Sequence, residues 1–209
     1  MDQEQVWNKI SARWNKFRQK PVPEVEEFLK DKKGKILDLG CGSGRNMTAN
    51  PDVSYYGVDF SEEMLKFAEK NARDKKIRAV FLKEEIGKEK LPLKNNFFDA
   101  VTCISTIHLI ESAEKRKKAL EEIYRVVKRG AEAMISVWNK NSDPKLKDIA
   151  GKEACINWKQ QEINYPRYYY FYDKEELENL LKETGFKILD KNPLKSEHSR
   201  KNLVVFLKK

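Results

Sequence analysis

Hydrophobic positions along the 209-residue chain fall into two rhythms. Up to about residue 33 the rhythm is helical: Val6, Ile10, Trp14 and Phe17 recur at three- or four-residue spacing, as do Val25, Phe28 and Leu29 after the breaker Pro21-Val22-Pro23. This part reads as a helical N-terminal preface over 1–33. From Lys35 the chain alternates short apolar runs with amphipathic stretches. Strands are expected at 35–39, 54–58, 77–82, 98–104 and 131–138, with helices at 61–73 and 113–128 between them. Such alternation predicts an α/β fold with a parallel sheet covered on both faces. Residues 139–172 break the alternation with a polar, aromatic-rich insertion. A helix at 173–184 then leads into strands at 186–191 and 202–207, close enough in sequence to pair as an antiparallel hairpin. No linker divides the chain, so 1–209 is expected to form one domain, with 139–172 on its substrate side.

The most informative run is Ile36-Leu37-Asp38-Leu39-Gly40-Cys41-Gly42-Ser43-Gly44-Arg45. A strand ends in a loop with glycine at every second position, where backbone amides can approach a ligand closely. The GxGxG spacing lacks the third glycine of a dinucleotide fingerprint, and no Lys-Ser/Thr follows for a phosphate loop. Asp38, two residues before the first glycine, would sit badly beside a pyrophosphate but well beside a cationic or amino-bearing ligand. That combination points to S-adenosylmethionine, which carries a sulfonium and an amino group and no phosphates. Tyr56-Gly57-Val58-Asp59-Phe60-Ser61 ends the second expected strand, with Asp59 placed 21 residues beyond Asp38 to accept bonds from ribose hydroxyls.

Composition adds two facts. Lys and Arg number 42 against 33 Asp and Glu, a net charge of +9, which suits a polyanionic partner and equally suits a Lys-rich composition without one. The three cysteines, Cys41, Cys103 and Cys155, are far apart and never in CxxC spacing, so neither a disulfide framework nor a cysteine zinc site is indicated, and no metal is expected. No run of about 20 apolar residues is present and no secretory pattern opens the chain, so a cytoplasmic protein without membrane contact is expected.

Together these segments resemble the class I S-adenosylmethionine-dependent methyltransferases over roughly residues 34–138. The resemblance implies a Rossmann-like seven-stranded sheet and assigns Asp38, Gly40, Cys41, Gly42 and Gly44 to the cofactor loop, Asp59 and Phe60 to the ribose side, Ser105 to the donor end, and Glu84 or Glu85 to the adenine. Three further elements are similar to one branch, the tRNA wobble-uridine carboxymethyl methyltransferases: Phe17-Arg18-Gln19-Lys20-Pro21-Val22-Pro23, Ser105-Thr106-Ile107-His108-Leu109-Ile110 with Ala113-Glu114-Lys115-Arg116, and Pro166-Arg167-Tyr168-Tyr169-Tyr170-Phe171. Val137-Trp138 matches that branch as well. Leu109, Tyr170 and Val22 depart from its pattern, standing where it has His, His and Trp.

What this second resemblance implies is a tRNA anticodon loop as substrate, with Arg18, Lys20 or Arg167 orienting a uridine-linked carboxylate. Tyr168 and Tyr169 would line the base pocket, and His108 and Trp138 would border methyl transfer. It also implies a small zinc-ribbon activator subunit at the edge formed by 77–82, an expected strand more apolar than an unprotected edge should be. Two other functions stay open at this point: a small-molecule O- or N-methyltransferase, with the insertion as a lid, and an inert binding or scaffold protein of the same fold.

Overall fold

The computed structural model describes residues 1–142, 144–147 and 149–209. Two helices, α1 (Gln3–Phe17) and α2 (Pro23–Leu29), precede β1 (Gly34–Leu39), β2 (Val53–Asp59), α3 (Glu62–Asp74), β3 (Ala79–Lys83) and β4 (Phe98–Ile104). There follow α4 (Ala113–Val126), β5 (Val127–Trp138), the short α5 (Pro144–Lys147), β6 (Glu153–Gln160), β7 (Ile163–Tyr170), α6 (Lys174–Glu183), β8 (Lys187–Ile188), α7 (Glu197–Lys201) and β9 (Asn202–Lys208).

Seven strands form one sheet in the order β3-β2-β1-β4-β5-β9-β8. β3 through β5 are parallel, while β9 runs antiparallel to both β5 and β8. Alternation along the central strands sorts the core into two layers. Leu37, Leu39, Val101 and Cys103 pack with Leu120 and Ile123 of α4 and Leu177 and Leu181 of α6. Ile36, Ala100 and Met134 face the other way, toward Val25 and Phe28 of α2 and Leu65 of α3. Apolar area buried on both faces is what makes parallel strands read as continuous hydrophobic runs.

Three expectations are corrected. The helix expected at 113–128 ends at Val126 and the strand expected at 131–138 begins at Val127, with a register shift opposite Phe98 and Ala100. The strand expected at 186–191 is only Lys187–Ile188, and α7 separates it from β9. The insertion contains an antiparallel hairpin, β6 and β7, as a separate two-stranded sheet. Val6, Trp7 and Ile10 of α1 join Met64 of α3 and Tyr165 of β7 in a third cluster, so α1 bridges the hairpin and the main sheet. Phe17, read as part of the same stripe, is instead 62% exposed.

Candidate active site

The parallel strands end together at a cavity of about 450 Å³. Gly40, Cys41 and Gly42 form one wall, Asp59 and Phe60 the next, Glu85 and Ile86 a third, and Ser105 and Thr106 the floor after β4. Gly40 has φ +73°, and a Cβ there would lie 2.2 Å from the Thr106 hydroxyl oxygen, so only glycine lets the loop close over the end of β4. A Cβ on Gly42 would meet nothing within 4 Å, so its Cα stands beside open space.

The loop is tied to β2 through Asp59, whose Oδ2 accepts the Gly42 N–H at 2.9 Å while Oδ1 accepts the Ser61 N–H at 2.9 Å. Ser61 in turn caps α3 by accepting the Met64 N–H. Each Asp59 oxygen keeps a further lone pair for a vicinal diol. Asp38 lies behind the loop, 2% exposed, and one of its oxygens accepts the Thr102 hydroxyl at 2.9 Å. Its other oxygen has no hydrogen-bond partner among the described residues. Burial pushes both carboxyls up to about 6, against the Thr102 hydroxyl and the Arg45 charge at Asp38 and backbone N–H groups at Asp59. An orphaned buried carboxyl oxygen at Asp38, open space over Gly42 and a diol-ready acid at Asp59 fit a cofactor with an amino group, a sulfonium and a ribose.

Of the expected cofactor residues, Gly40, Cys41, Gly42, Asp59, Phe60, Glu85 and Ser105 reach the wall. Asp38 and Gly44 support it from behind, and Gly44 packs its Cα face against Ala68 of α3. Glu85, held by Lys115 at 2.6 Å and Lys88 at 3.4 Å, lies on the cavity, whereas Glu84 donates its backbone N–H to the Asp59 carbonyl and is absent from the wall. The Cys41 thiol is driven far above its ordinary range by burial and the neighbouring Asp59 and Asp38, which makes it inert filling. Among the described residues no cluster of His, Cys, Asp or Glu could hold a metal ion.

Sequence reasoning missed the contribution of α1 and of Arg45. Trp7 and Trp14 line the cavity with Arg45, which comes within reach of Arg18 and is held down to about 10 by burial and by that second positive charge. The helical period of Trp7 and Trp14 was the available signal, but it equally describes ordinary core packing.

Behind those two indoles lies the Arg167 guanidinium, 5.9 Å from the Trp7 ring, 5.8 Å from Trp14, 5.2 Å from Trp158 and 5.2 Å from Tyr169. Its Nε has no hydrogen-bond partner among the described residues, and burial lowers its pKa, helped by Arg18. Arg18 lies 5.1 Å from the same Trp14 ring. Arg18 and Arg167 therefore converge on one indole at the cavity's edge, and among the described residues Arg18, Arg45 and Arg167 have no carboxylate within 4.0 Å. Lys20 is exposed beyond the end of α1.

Beside Arg167, Trp138, Tyr169 and His108 stack in parallel, with centroids 4.3 Å apart for Trp138 and Tyr169 and 5.6 Å apart for His108 and Tyr169. His108 is 1% exposed, its Nδ1 accepts the Trp138 N–H at 3.3 Å, and burial together with His198 and Arg167 pushes its pKa down to about 3. It is a neutral, fixed imidazole, and neither it nor Trp138 reaches the cavity wall. The pairing of Tyr168 with Tyr169 in one pocket is corrected: neighbouring strand residues face opposite ways. The Tyr168 hydroxyl donates to the Glu111 carbonyl at 3.1 Å and accepts from Arg116 at 3.2 Å, away from Arg167.

Comparison with known proteins agrees with this geometry. A family model described as methyltransferase domain matches residues 37–135. A Schizosaccharomyces pombe protein named tRNA (carboxymethyluridine(34)-5-O)-methyltransferase is 28% identical over 211 residues, covering 89% of each chain. An Arabidopsis thaliana protein of the same name is 31% identical across 64% of this chain, which spans only 31% of that relative. Among solved structures, the CcbJ methyltransferase of Streptomyces caelestis aligns over 100% of this chain and 99% of its own with a TM-score of 0.77 at 14% identity. A Clostridium acetobutylicum S-adenosylmethionine-dependent methyltransferase covers 100% and 92% with a TM-score of 0.65 at 18% identity. The strand order, the glycine loop tied to Asp59 and the matched family model agree: residues 37–135 form a methyltransferase domain, on a class I α/β fold.

Proposed function

We propose that the chain is an S-adenosylmethionine-dependent enzyme that methylates the carboxymethyl group of a modified wobble uridine in tRNA to its methyl ester. The observation that carries this reading is the convergence of Arg18 and Arg167 on Trp14 at the edge of the cavity that Arg45 lines, with no carboxylate within 4.0 Å of these three guanidiniums among the described residues. Two guanidiniums on an aromatic surface and a third on the cavity wall supply an orienting charge for a carboxylate and planar contacts for a base. The names of the relatives supply the substrate class.

Asp59 would hold the ribose hydroxyls, Glu85 the adenine amino group, and Asp38 with the Gly40–Gly42 loop the amino-acid end. S-adenosylmethionine, when bound, supplies a methyl group on a positively charged sulfur. Because that sulfur would be an already activated leaving group, transfer to a carboxylate oxygen would require only that the two be held in line. A carboxylate is ionised at neutral pH, so no proton moves and no general base is needed. That agrees with a His108 too firmly neutral to act as one. The task left to the protein is alignment, which Arg167 and Arg18 perform beside Trp14.

The exposed edge of the sheet supports a partner. Among the described residues β3 pairs only with β2, and its Val80 is 51% exposed. Strand addition by a small zinc-ribbon subunit, as the branch resemblance implies, would cover it. Unchanged solubility and activity with such a subunit would remove that idea. Among the described residues no helix is long and apolar enough to cross a membrane.

Arg167→Ala tests the reading. tRNA methylation should fall far more than S-adenosylmethionine affinity; equal loss of both would make Arg167 a cofactor or folding residue. Methylation should also weaken steeply with salt, and salt-insensitive turnover of a small molecule would favour a small-molecule enzyme.

A further inference from the structure

The last turn of α1 carries a feature outside the cofactor cavity. The Phe17 ring stands in solvent and meets Trp158 of β6 edge-on, with centroids 6.4 Å apart. The Arg13 guanidinium lies 5.7 Å from the Phe17 ring and 5.8 Å from that of Trp158, and its Nη1 donates to the Lys159 carbonyl at 3.1 Å. A cation that would otherwise sweep through water is therefore pinned beside two rings. Trp158 continues inward to Trp14 at 5.6 Å, so the aromatic surface is unbroken from Phe17 to the Arg18 and Arg167 pair.

The charge around this surface has one sign. Arg13, Lys16, Arg18 and Lys20 are all exposed, and among the described residues none has a carboxylate within 4.0 Å. Glu162 on the hairpin turn is the acid closest in sequence to this part of β6, and it pairs with Lys159 at 3.7 Å. A protein interface would need a broader apolar patch than one protruding ring. Pinned rings among unpaired cations are instead the composition on which single-stranded nucleic acid stacks, every base having a π-face.

We infer that Phe17, with Arg13 and Trp158, is a stacking platform for an unpaired RNA base adjacent to the base that is methylated, with Lys16 and Lys20 meeting its phosphates. The inference rests on the tRNA reading above and adds to it a second contact point in the loop. The probe is an anticodon stem-loop bearing carboxymethyluridine, with 2-aminopurine at a neighbouring loop position, and the proteins are wild type, Phe17→Ala and Phe17→Trp. Wild type should quench 2-aminopurine fluorescence on binding. Phe17→Ala should lose the quenching and raise KM for the stem-loop about tenfold, with kcat and S-adenosylmethionine affinity unchanged, and Phe17→Trp should restore both.

Wild-type methylation with equal quenching and equal KM in Phe17→Ala would overturn the platform and leave the tRNA reading intact. Quenching that depends on Phe17 without any methylation would support the platform and count against the wobble-uridine chemistry. A defect in Phe17→Ala seen only when a protein partner is added would assign the patch to that partner and overturn the inference.

Discussion

The Trp138 indole and the Tyr169 ring lie 4.3 Å apart at 16°, joining the end of β5 in the main sheet to β7 in the separate hairpin. Tyr169 also stacks on His108 and, at 6.4 Å, on Phe171, so one side chain holds three other aromatic groups in register. Truncating it removes the contact that orients Arg167 two residues earlier on the same face of β7. Tyr169→Ala should cost about 3–5 kcal/mol in urea denaturation and loosen the hairpin, whereas Tyr169→Phe, which keeps the ring, should stay within about 1 kcal/mol. Equal stability of Tyr169→Ala and wild type would show that the hairpin is held elsewhere.

Asp38 and Asp59 set a pH dependence whose sign is fixed. Burial raises both from an ordinary 3.8 to about 6, so between those values the folded protein binds more protons than the unfolded chain, and these two groups make stability fall as pH rises. Asp38→Asn removes one such group. Without cofactor the variant should gain stability relative to wild type above about pH 6 and lose that advantage below about pH 4, as read from urea midpoints across a pH series. Cofactor binding favours the ionised carboxyls, so S-adenosylmethionine affinity should fall as pH drops through 6, by up to about tenfold per unit for each carboxyl. Calorimetry that shows affinity constant from pH 7 to 5 would contradict the assignment.

Glu85 and Glu84 separate cleanly. Only Glu85 reaches the cavity wall, fixed there by Lys115 and Lys88. Glu85→Ala should weaken S-adenosylmethionine binding about fivefold, the worth of one hydrogen bond of about 1 kcal/mol. Glu84→Ala should leave it within about twofold, and the reverse order would move the adenine subsite.

His108 should be silent in the rate profile. An imidazole pushed down to about 3 by burial stays neutral across the working range, so kcat should show no ionisation near its ordinary value. A limb near pH 6.5 that disappears in His108→Gln would show that the imidazole takes part in proton transfer.

The cofactor half of the site was legible in the sequence because its determinants are local. A strand must end, the backbone must reach positive φ at Gly40 and Gly42, and an acid must stand at the tip of the next strand, all within 36–61. The substrate half is made by convergence of distant segments. Trp7 and Trp14 meet Arg167, and share a cavity wall with Arg45, because α1 packs across α3 and β7, and no periodicity encodes that meeting. The β6–β7 hairpin was hidden by Pro166 inside a strand and by the exposed Cys155, Asn157 and Lys159 on β6, which read as a polar insertion. The opposed directions of Tyr168 and Tyr169 follow from the two-residue period of a strand, once 163–170 is known to be one. The charge surplus acquires a location at the end of α1, where Arg13, Lys16, Arg18 and Lys20 gather beside Arg167.

The central claim is the identity of the methylated group, and nucleoside mass spectrometry reads it directly. tRNA bearing carboxymethyluridine should be incubated with the protein and methyl-labelled S-adenosylmethionine, with and without a zinc-ribbon subunit, then digested. The account predicts label in the methyl ester of carboxymethyluridine, removed by mild alkali as an ester must be. No labelled uridine derivative in either reaction would contradict it.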